Sequence, residues 1–298
     1  MNTNIFDFAD AARAQAGLII EQPEPDGQIH RVHIAGDKRG TKNGYYVLHE
    51  SRNCLRAFFG DWKTNQTFKW NCANYEQTTF TERQRFDREI DAYRAKRKAE
   101  QKRAEREAAD HAATIVSQCY EADPNHPYIV EKGLITANLK QHGDNIVIPL
   151  CDTRGMIHSV QTIYPDGSKR FLKNGAIKGH FWLCAAESLP SEGRLFICEG
   201  AATALSIYAT TGEPVAAAMN AGNLEAVAIA IRHRKPDLEV IIMADNDHHL
   251  DYNIGLEKAR DAAGRAMCRY LVAPVPCSLP DCKCTDFNDA MTCTEAEL

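Results

Sequence analysis

The chain has no apolar run of 18 residues, so nothing in it reads as a membrane-spanning helix. Its start, Met1-Asn-Thr-Asn-Ile-Phe-Asp7, lacks a charged n-region and an apolar h-region, so no secretory signal is expected and the chain reads as cytoplasmic. A basic excess is missing too: 35 Lys and Arg stand against 40 Asp and Glu, a net charge of -5. That excludes coating nucleic acid by bulk charge, and any phosphate contact must come from local patches. The first 77 residues hold only Cys54 and Cys72, with His30, His33 and His49, and no paired ligand spacing, which argues against a zinc finger there. There is no internal repeat and no low-complexity tract, so a solenoid or a disordered array is not expected. The 11 cysteines are an odd number scattered through core-like segments, as reduced thiols would be.

What the chain does have is two acidic strand ends. Arg194-Leu-Phe-Ile-Cys-Glu199-Gly200 and Val240-Ile-Ile-Met-Ala-Asp245-Asn-Asp247 are short apolar runs, without helical period, that stop abruptly in carboxylates. Between them lie a helical stretch, a small-residue strand (Val215 to Met219) and a second helical stretch. Alternation at this pitch predicts right-handed βαβ units and a parallel sheet. Chemistry gathers at the carboxyl ends of such strands, so Glu199, Asp245 and Asp247 should share one crevice. Their mutual repulsion calls for a hard divalent cation such as Mg²⁺. Asn246 would add a neutral oxygen nearby, and Gly200 would let the chain turn and a phosphate approach the next helix start. Asp286-Phe287-Asn288-Asp289 is a third acidic cluster, either returning to the crevice or serving as a helix cap with a buried Phe.

Around this core the chain divides into four parts. Residues 1–78 form a β-rich module punctuated by turns such as Lys42-Asn43-Gly44 and Phe59-Gly60-Asp61. Residues 79–120 are rich in Arg, Lys, Glu and Ala and predict one long charged connector helix, whose basic residues could also track a phosphate backbone. Residues 121–190 read as a short helix and an antiparallel meander whose basic residues Lys169, Arg170, Lys173 and Lys178 read by themselves as a solvated hairpin and, together with the neighbouring motifs named below, as a nucleotide- or template-binding turn. Residues 191–298 hold the parallel sheet and a tail with Cys277, Cys282, Cys284 and Cys293. Those four thiols could hold zinc, yet their intervals lack the usual paired knuckles, so zinc is not expected.

The set Cys198-Glu199-Gly200, Asp245-Asn-Asp247 and Asp286-Phe-Asn-Asp289 resembles the Toprim domain of primases, topoisomerases and some nucleases. Upstream, His126-Pro127-Tyr128, Lys132-Gly133, Val147-Ile-Pro149-Leu150, Gln161 to Gly167, Lys169-Arg170-Phe171 and Lys178-Gly179 are similar to Toprim primases of phages and conjugative plasmids. Asn43-Gly44-Tyr45-Tyr46 and Phe59-Gly60-Asp61-Trp62 resemble the amino-terminal module of that group. The resemblance implies a multidomain α/β and α+β chain with a Rossmann-like Toprim core, and a DNA primase that makes short RNA primers on single-stranded DNA from ribonucleoside triphosphates. It implies catalysis by Glu199, Asp245 and Asp247, with Asp286 and Asp289 completing a pocket for Mg²⁺ or Mn²⁺. At 298 residues no helicase fits, so a separate replicative helicase or other replication protein is the expected partner. The rival expectations are a Toprim nuclease and a non-catalytic DNA-binding accessory protein.

Overall fold

The computed structural model describes residues 5–51, 54–64, 66–72, 80–250, 253–275 and 282–293. They fall into two compact units, Met1–Lys96 and Arg97–Leu298.

In the first unit, helix α1 (Ile5–Ala16) leads into an antiparallel sheet of β1 (Leu18–Ile19), β2 (Asp26–Ile34), β3 (Gly44–Ser51), β4 (Cys54–Asp61) and β5 (Gln66–Asn71), paired in chain order. Gly17 ends α1 at φ +66°, a left-handed conformation that glycine adopts without strain, and its N–H returns to Arg13 O at 2.9 Å. Side chains alternate across the sheet as the period of two requires. Tyr46, Leu48, Ala57 and Phe59 share a core with Phe8, Ala12 and Leu18, while Tyr45, Val47 and Phe58 form a cluster of their own. Phe8 is fully buried beside the rings of Tyr46, Phe59 and Trp70, and truncating it to Ala should cost about 3–5 kcal/mol.

Helix α2 (Phe80–Ser117) has no internal Pro or Gly and runs for 38 residues. Its carboxyl end is not merely solvated, because Ala112 packs with Val147 and Val160, flanked by Ile115 and Val116.

The second unit continues with β6 (Tyr120–Glu121), α3 (Pro127–Glu131), β7 (Lys140–His142), β8 (Asn145–Cys151), β9 (Ile157–Ile163) and β10 (Lys169–Phe171). These strands make an antiparallel meander in the order β10-β9-β8-β7-β6. Next come β11 (Trp182–Cys184), β12 (Arg194–Cys198), α4 (Ala201–Thr211), β13 (Val215–Ala217), α5 (Leu224–Arg234), β14 (Glu239–Ala244), α6 (Ile254–Ala266), β15 (Arg269–Val272) and α7 (Phe287–Thr292). The third sheet has the order β11-β13-β12-β14-β15, with β12 to β15 parallel and β11 antiparallel at the edge. The small-residue strand stops at Ala217 rather than Met219, because Met219 turns the chain at φ +70°.

One face of this sheet (Phe196, Cys198, Met243) shares a core with α4 and with Ile146, Ile148, Leu150 and Ile163 of the meander. The opposite face (Leu195, Ile197, Val240, Ile242) is covered by α5 and α6. From the central strand β12 the chain crosses to β13 on one side and afterwards to β14 on the other. That reversal opens a crevice at the carboxyl ends of β12 and β14. No helix among the described residues is long and apolar enough to cross a membrane.

Candidate active site

Glu199 follows the last residue of β12 and Asp245 the last residue of β14, two strands in direct parallel register with Ile197 opposite Ile242. Both carboxylates therefore leave the sheet side by side. Glu199 is raised above the ordinary range for Glu: burial is the largest cause, Asp247 and Asp286 add repulsion, and the Ala221 N–H and Lys169 oppose the shift. Asp245 is pushed up to about 8, first by burial and then by Glu199, Asp286, Asp247 and Asp289. Its Oδ1 is shielded from solvent and has no hydrogen-bond partner among the described residues.

Asp247 sits against the first turn of α6. A Cβ on Gly255 would lie 3.3 Å from Asp247 Oδ2 and 3.4 Å from the Asp245 Cβ, so glycine lets the helix approach both carboxylates. Asn246 does not offer its oxygen to the crevice. Its Oδ1 accepts from Asn253 Nδ2 at 2.9 Å, its Nδ2 donates to Val275 O at 3.1 Å, and its N–H donates to Thr285 O. It is a brace for the loop rather than a ligand. His248 and His249 are exposed, and Asp251 lies outside the described residues.

The Asp286 cluster both caps a helix and faces the crevice carboxylates. Asp286 caps α7, accepting from Asp289 N at 2.8 Å, and its other oxygen accepts from Thr203 Oγ1 at 3.0 Å in the first turn of α4. Asp289 accepts from Thr285 N at 3.0 Å and lies 3.9 Å from Lys132 Nζ. The residue this tail buries is Asn288, 1% exposed, rather than Phe287, which is half-buried. Asn288 Nδ2 donates to Lys132 O and to Ser206 Oγ, which fixes α7 against α3 and α4.

The site is thus five carboxylates drawn from three separate chain segments, with one of them buried and unpartnered. Residues 194–297 match the Toprim domain family. That segment is a Toprim domain. Over a longer stretch the chain is 30% identical, across 267 residues, to the DNA primase TraC of Escherichia coli, covering 87% of this chain and 25% of that protein. It is 31% identical across 283 residues to a second TraC of Escherichia coli, covering 90% of this chain and 19% of the relative. The chain therefore spans a quarter or less of the curated relatives it matches. Among solved structures, the primase fragment of the bacteriophage T7 primase-helicase protein is similar at a TM-score of 0.41 and 18% identity, over 56% of this chain and 70% of that one. At that level the likeness carries no argument.

Toprim domains in general bind divalent metal ions, and the acidic crevice supplies the oxygen ligands such ions prefer. Among the described residues, only Glu24, Asp26 and His30 of the first unit bring three ligand atoms within 4.8 Å of one another.

Opposite the Toprim carboxylates stands Lys169 on β10, near the Tyr128 ring (5.4 Å) and under the attraction of Asp286 and Glu199. Burial nonetheless lowers its pKa. Arg170, its neighbour on the strand, lies over the Tyr164 ring at 5.9 Å, while Lys173 and Lys178 are exposed. Only Lys169 among the four basic residues is brought to the carboxylates by a described interaction. The segment that carries Lys178 is held by a residue the sequence did not advertise. Asn223, 3% exposed, accepts from Gly179 N at 2.7 Å and donates to the carbonyls of Ile177, His180 and Ala218.

Gly200 caps α4 at φ -112°, which any residue can adopt, and a Cβ there would meet only Thr203 Oγ1 at 3.5 Å. The chain itself does not require glycine at this position, so its conformational reading is corrected. In the tail, the Cys284 thiol is hydrogen-bonded to Cys282 and Cys293 and is pushed up to about 12, burial being the first cause. Cys277 lies outside the described residues.

Proposed function

We propose that this chain is the catalytic part of a DNA primase, joining ribonucleoside triphosphates into short RNA primers on single-stranded DNA. One observation carries the reading: the buried, unpartnered Asp245 Oδ1 beside Glu199, Asp247, Asp286 and Asp289, at the ends of the central parallel strands. An orphaned carboxylate oxygen in such a cluster costs several kcal/mol unless a cation meets it, so the residues present fit a divalent metal. Asp245, Asp247 and Glu199 would hold Mg²⁺ or Mn²⁺, with Asp286 and Asp289 at the margin. Bound there, the metal supplies charge neutralisation for a transferring phosphoryl group and lowers the pKa of an attacking hydroxyl.

The chain's own groups do the rest. Glu199 would be the catalytic acidic residue beside the metal, its raised pKa suiting it to accept a proton from a primer 3′-hydroxyl. Lys169 faces the carboxylates from the meander and is positioned to meet the triphosphate. A helicase or another replication protein would deliver the template.

The test is a gel assay of purified protein with single-stranded DNA, labelled ribonucleotides and Mg²⁺ or Mn²⁺. Short labelled products that disappear in Glu199→Gln and Asp245→Asn are expected. Metal-dependent shortening of the DNA without nucleotides would replace the reading with that of a Toprim nuclease.

A further inference from the structure

The amino-terminal unit carries a cationic and aromatic surface that the acidic crevice does not explain. The β2–β3 connection (residues 35–43) and the described start of the β4–β5 connection (residues 62–64) lie at the same end of the sheet. They are tied together by Trp62 N donating to Asn43 O at 2.9 Å and by Lys63 Nζ at 3.4 Å from Asp37 Oδ1. Trp62 is 37% exposed, far more than a tryptophan needs to be if its task were packing. Its ring meets the edge of Tyr45 at 5.2 Å, and Tyr45 is itself fixed by a 2.7 Å bond between its hydroxyl and Thr67 Oγ1.

Over the Trp62 ring, at 5.2 Å, lies the Arg31 guanidinium, whose Nε donates to Lys42 O at 3.1 Å. The guanidinium is thus held over the indole. Lys38, Arg39, Lys42 and Lys63 lie on the same two connections, all exposed. Five cations here face two carboxylates, and both are already engaged: Asp37 by Asn43 and Lys63, Asp61 by the Lys63 N–H. In a chain of net charge -5 this is a local reversal of sign.

We propose that this end of the amino-terminal sheet binds single-stranded nucleic acid, with a base stacked on Trp62 beside Arg31 and flanking phosphates met by Lys38, Arg39, Lys42 and Lys63. An indole face accepts any base, and a guanidinium plane adjoining it extends the stacking platform. Duplex is disfavoured because its bases are already stacked on each other. An acidic peptide would use the cations but leave the Trp62–Arg31 pair without a role.

The inference does not depend on primer synthesis, and its test uses neither nucleotides nor metal. The full chain is titrated, in chelator, against a fluorescent oligonucleotide of about 15 nucleotides, a length matched to known single-strand sites. Trp62→Ala should weaken binding about tenfold or more, Trp62→Phe should retain most of the affinity, and Lys38→Glu with Arg39→Glu should weaken it and flatten its salt dependence. Photocross-linking of an iododeoxyuridine oligonucleotide should label the peptides containing Trp62 or Tyr45. Affinities within twofold of the unaltered chain for both Trp62→Ala and the charge-reversed variant would overturn the proposal. So would cross-links confined to residues 97–298, or equal losses on duplex and single strand.

Discussion

Thr203 in the first turn of α4 donates its hydroxyl to Asp286 in the tail at 3.0 Å, joining residues 83 positions apart in the chain. This bond brings the third acidic cluster to the crevice that Glu199 and Asp245 begin. Thr203 is 2% exposed, so water cannot easily replace it.

Thr203→Val keeps the shape and removes the donor. A hydrogen bond to a charged group is worth about 1.5–3 kcal/mol, so kcat/KM for primer extension should fall about tenfold or more, with the fold retained. Thr203→Ser should recover most of the loss. Steady-state kinetics with melting curves for all three proteins would check this, and an unchanged kcat/KM in Thr203→Val would separate Asp286 from catalysis.

Asp245 stands among four other carboxylates with one oxygen unpartnered, so without metal it destabilises the fold. Asp245→Asn removes that repulsion and should raise the melting temperature of the chelator-treated protein. Mg²⁺ or Mn²⁺ should stabilise the unaltered chain, by about 2.7 kcal/mol at 100 times the dissociation constant, and should do little for the variant. Calorimetry with and without chelator reads both effects.

Asn223 makes four hydrogen bonds, three of them as donor to carbonyls. Asn223→Ala should cost roughly 2–4 kcal/mol, as expected when a buried polar network is broken. Asn223→Asp should be worse, because a carboxylate would face the carbonyls of Ile177, His180 and Ala218 with no proton to give. Denaturant melts would rank the three proteins, and Asp equal to Asn would contradict the assigned roles.

The His158 and His180 rings lie with centroids 4.1 Å apart at a 31° tilt, His158 Nε2 is 3.5 Å from Asp152 Oδ2, and His180 Nδ1 is buried without a hydrogen-bond partner among the described residues. Burial is the main cause that lowers the His180 pKa below 6.5, and His158 adds to it. With the folded value depressed, the unfolded chain binds the proton first. Stability is therefore complete above about pH 6.5 and declines as the pH falls below it. His180→Phe should flatten the slope of melting temperature between about pH 5 and pH 7. An unchanged slope would place the acid sensitivity elsewhere.

Much of the fold was legible in the residues. The apolar runs ending in Glu199 and Asp245 announced parallel strands, because a strand buried on both faces reads as an unbroken apolar run that stops where the chain leaves the sheet. The Pro- and Gly-free stretch after residue 79 announced one helix. Local signals misjudged single side chains. Asn246 looked like a ligand because its neighbours are acidic, yet its amide spans Asn253 and Val275. Gly200 looked conformationally required, yet its backbone is ordinary.

By itself the sequence determined which strands are buried on both faces, where they end and which residue types stand there, since hydrophobic period and chain punctuation are properties of neighbours in the chain. Which distant groups meet was decided only by the tertiary structure. Thr203 reaches Asp286, Asn288 reaches Lys132 and Ser206, and Asn223 holds the segment from Ile177 to His180, all through hydrogen bonds spanning dozens of residues. Such bonds leave no periodic trace, because their partners are fixed by how sheets and helices pack rather than by spacing along the chain. Burial acts in the same way: the crevice raises Asp245 to about 8 only once packing has removed water and gathered the other four carboxylates around it.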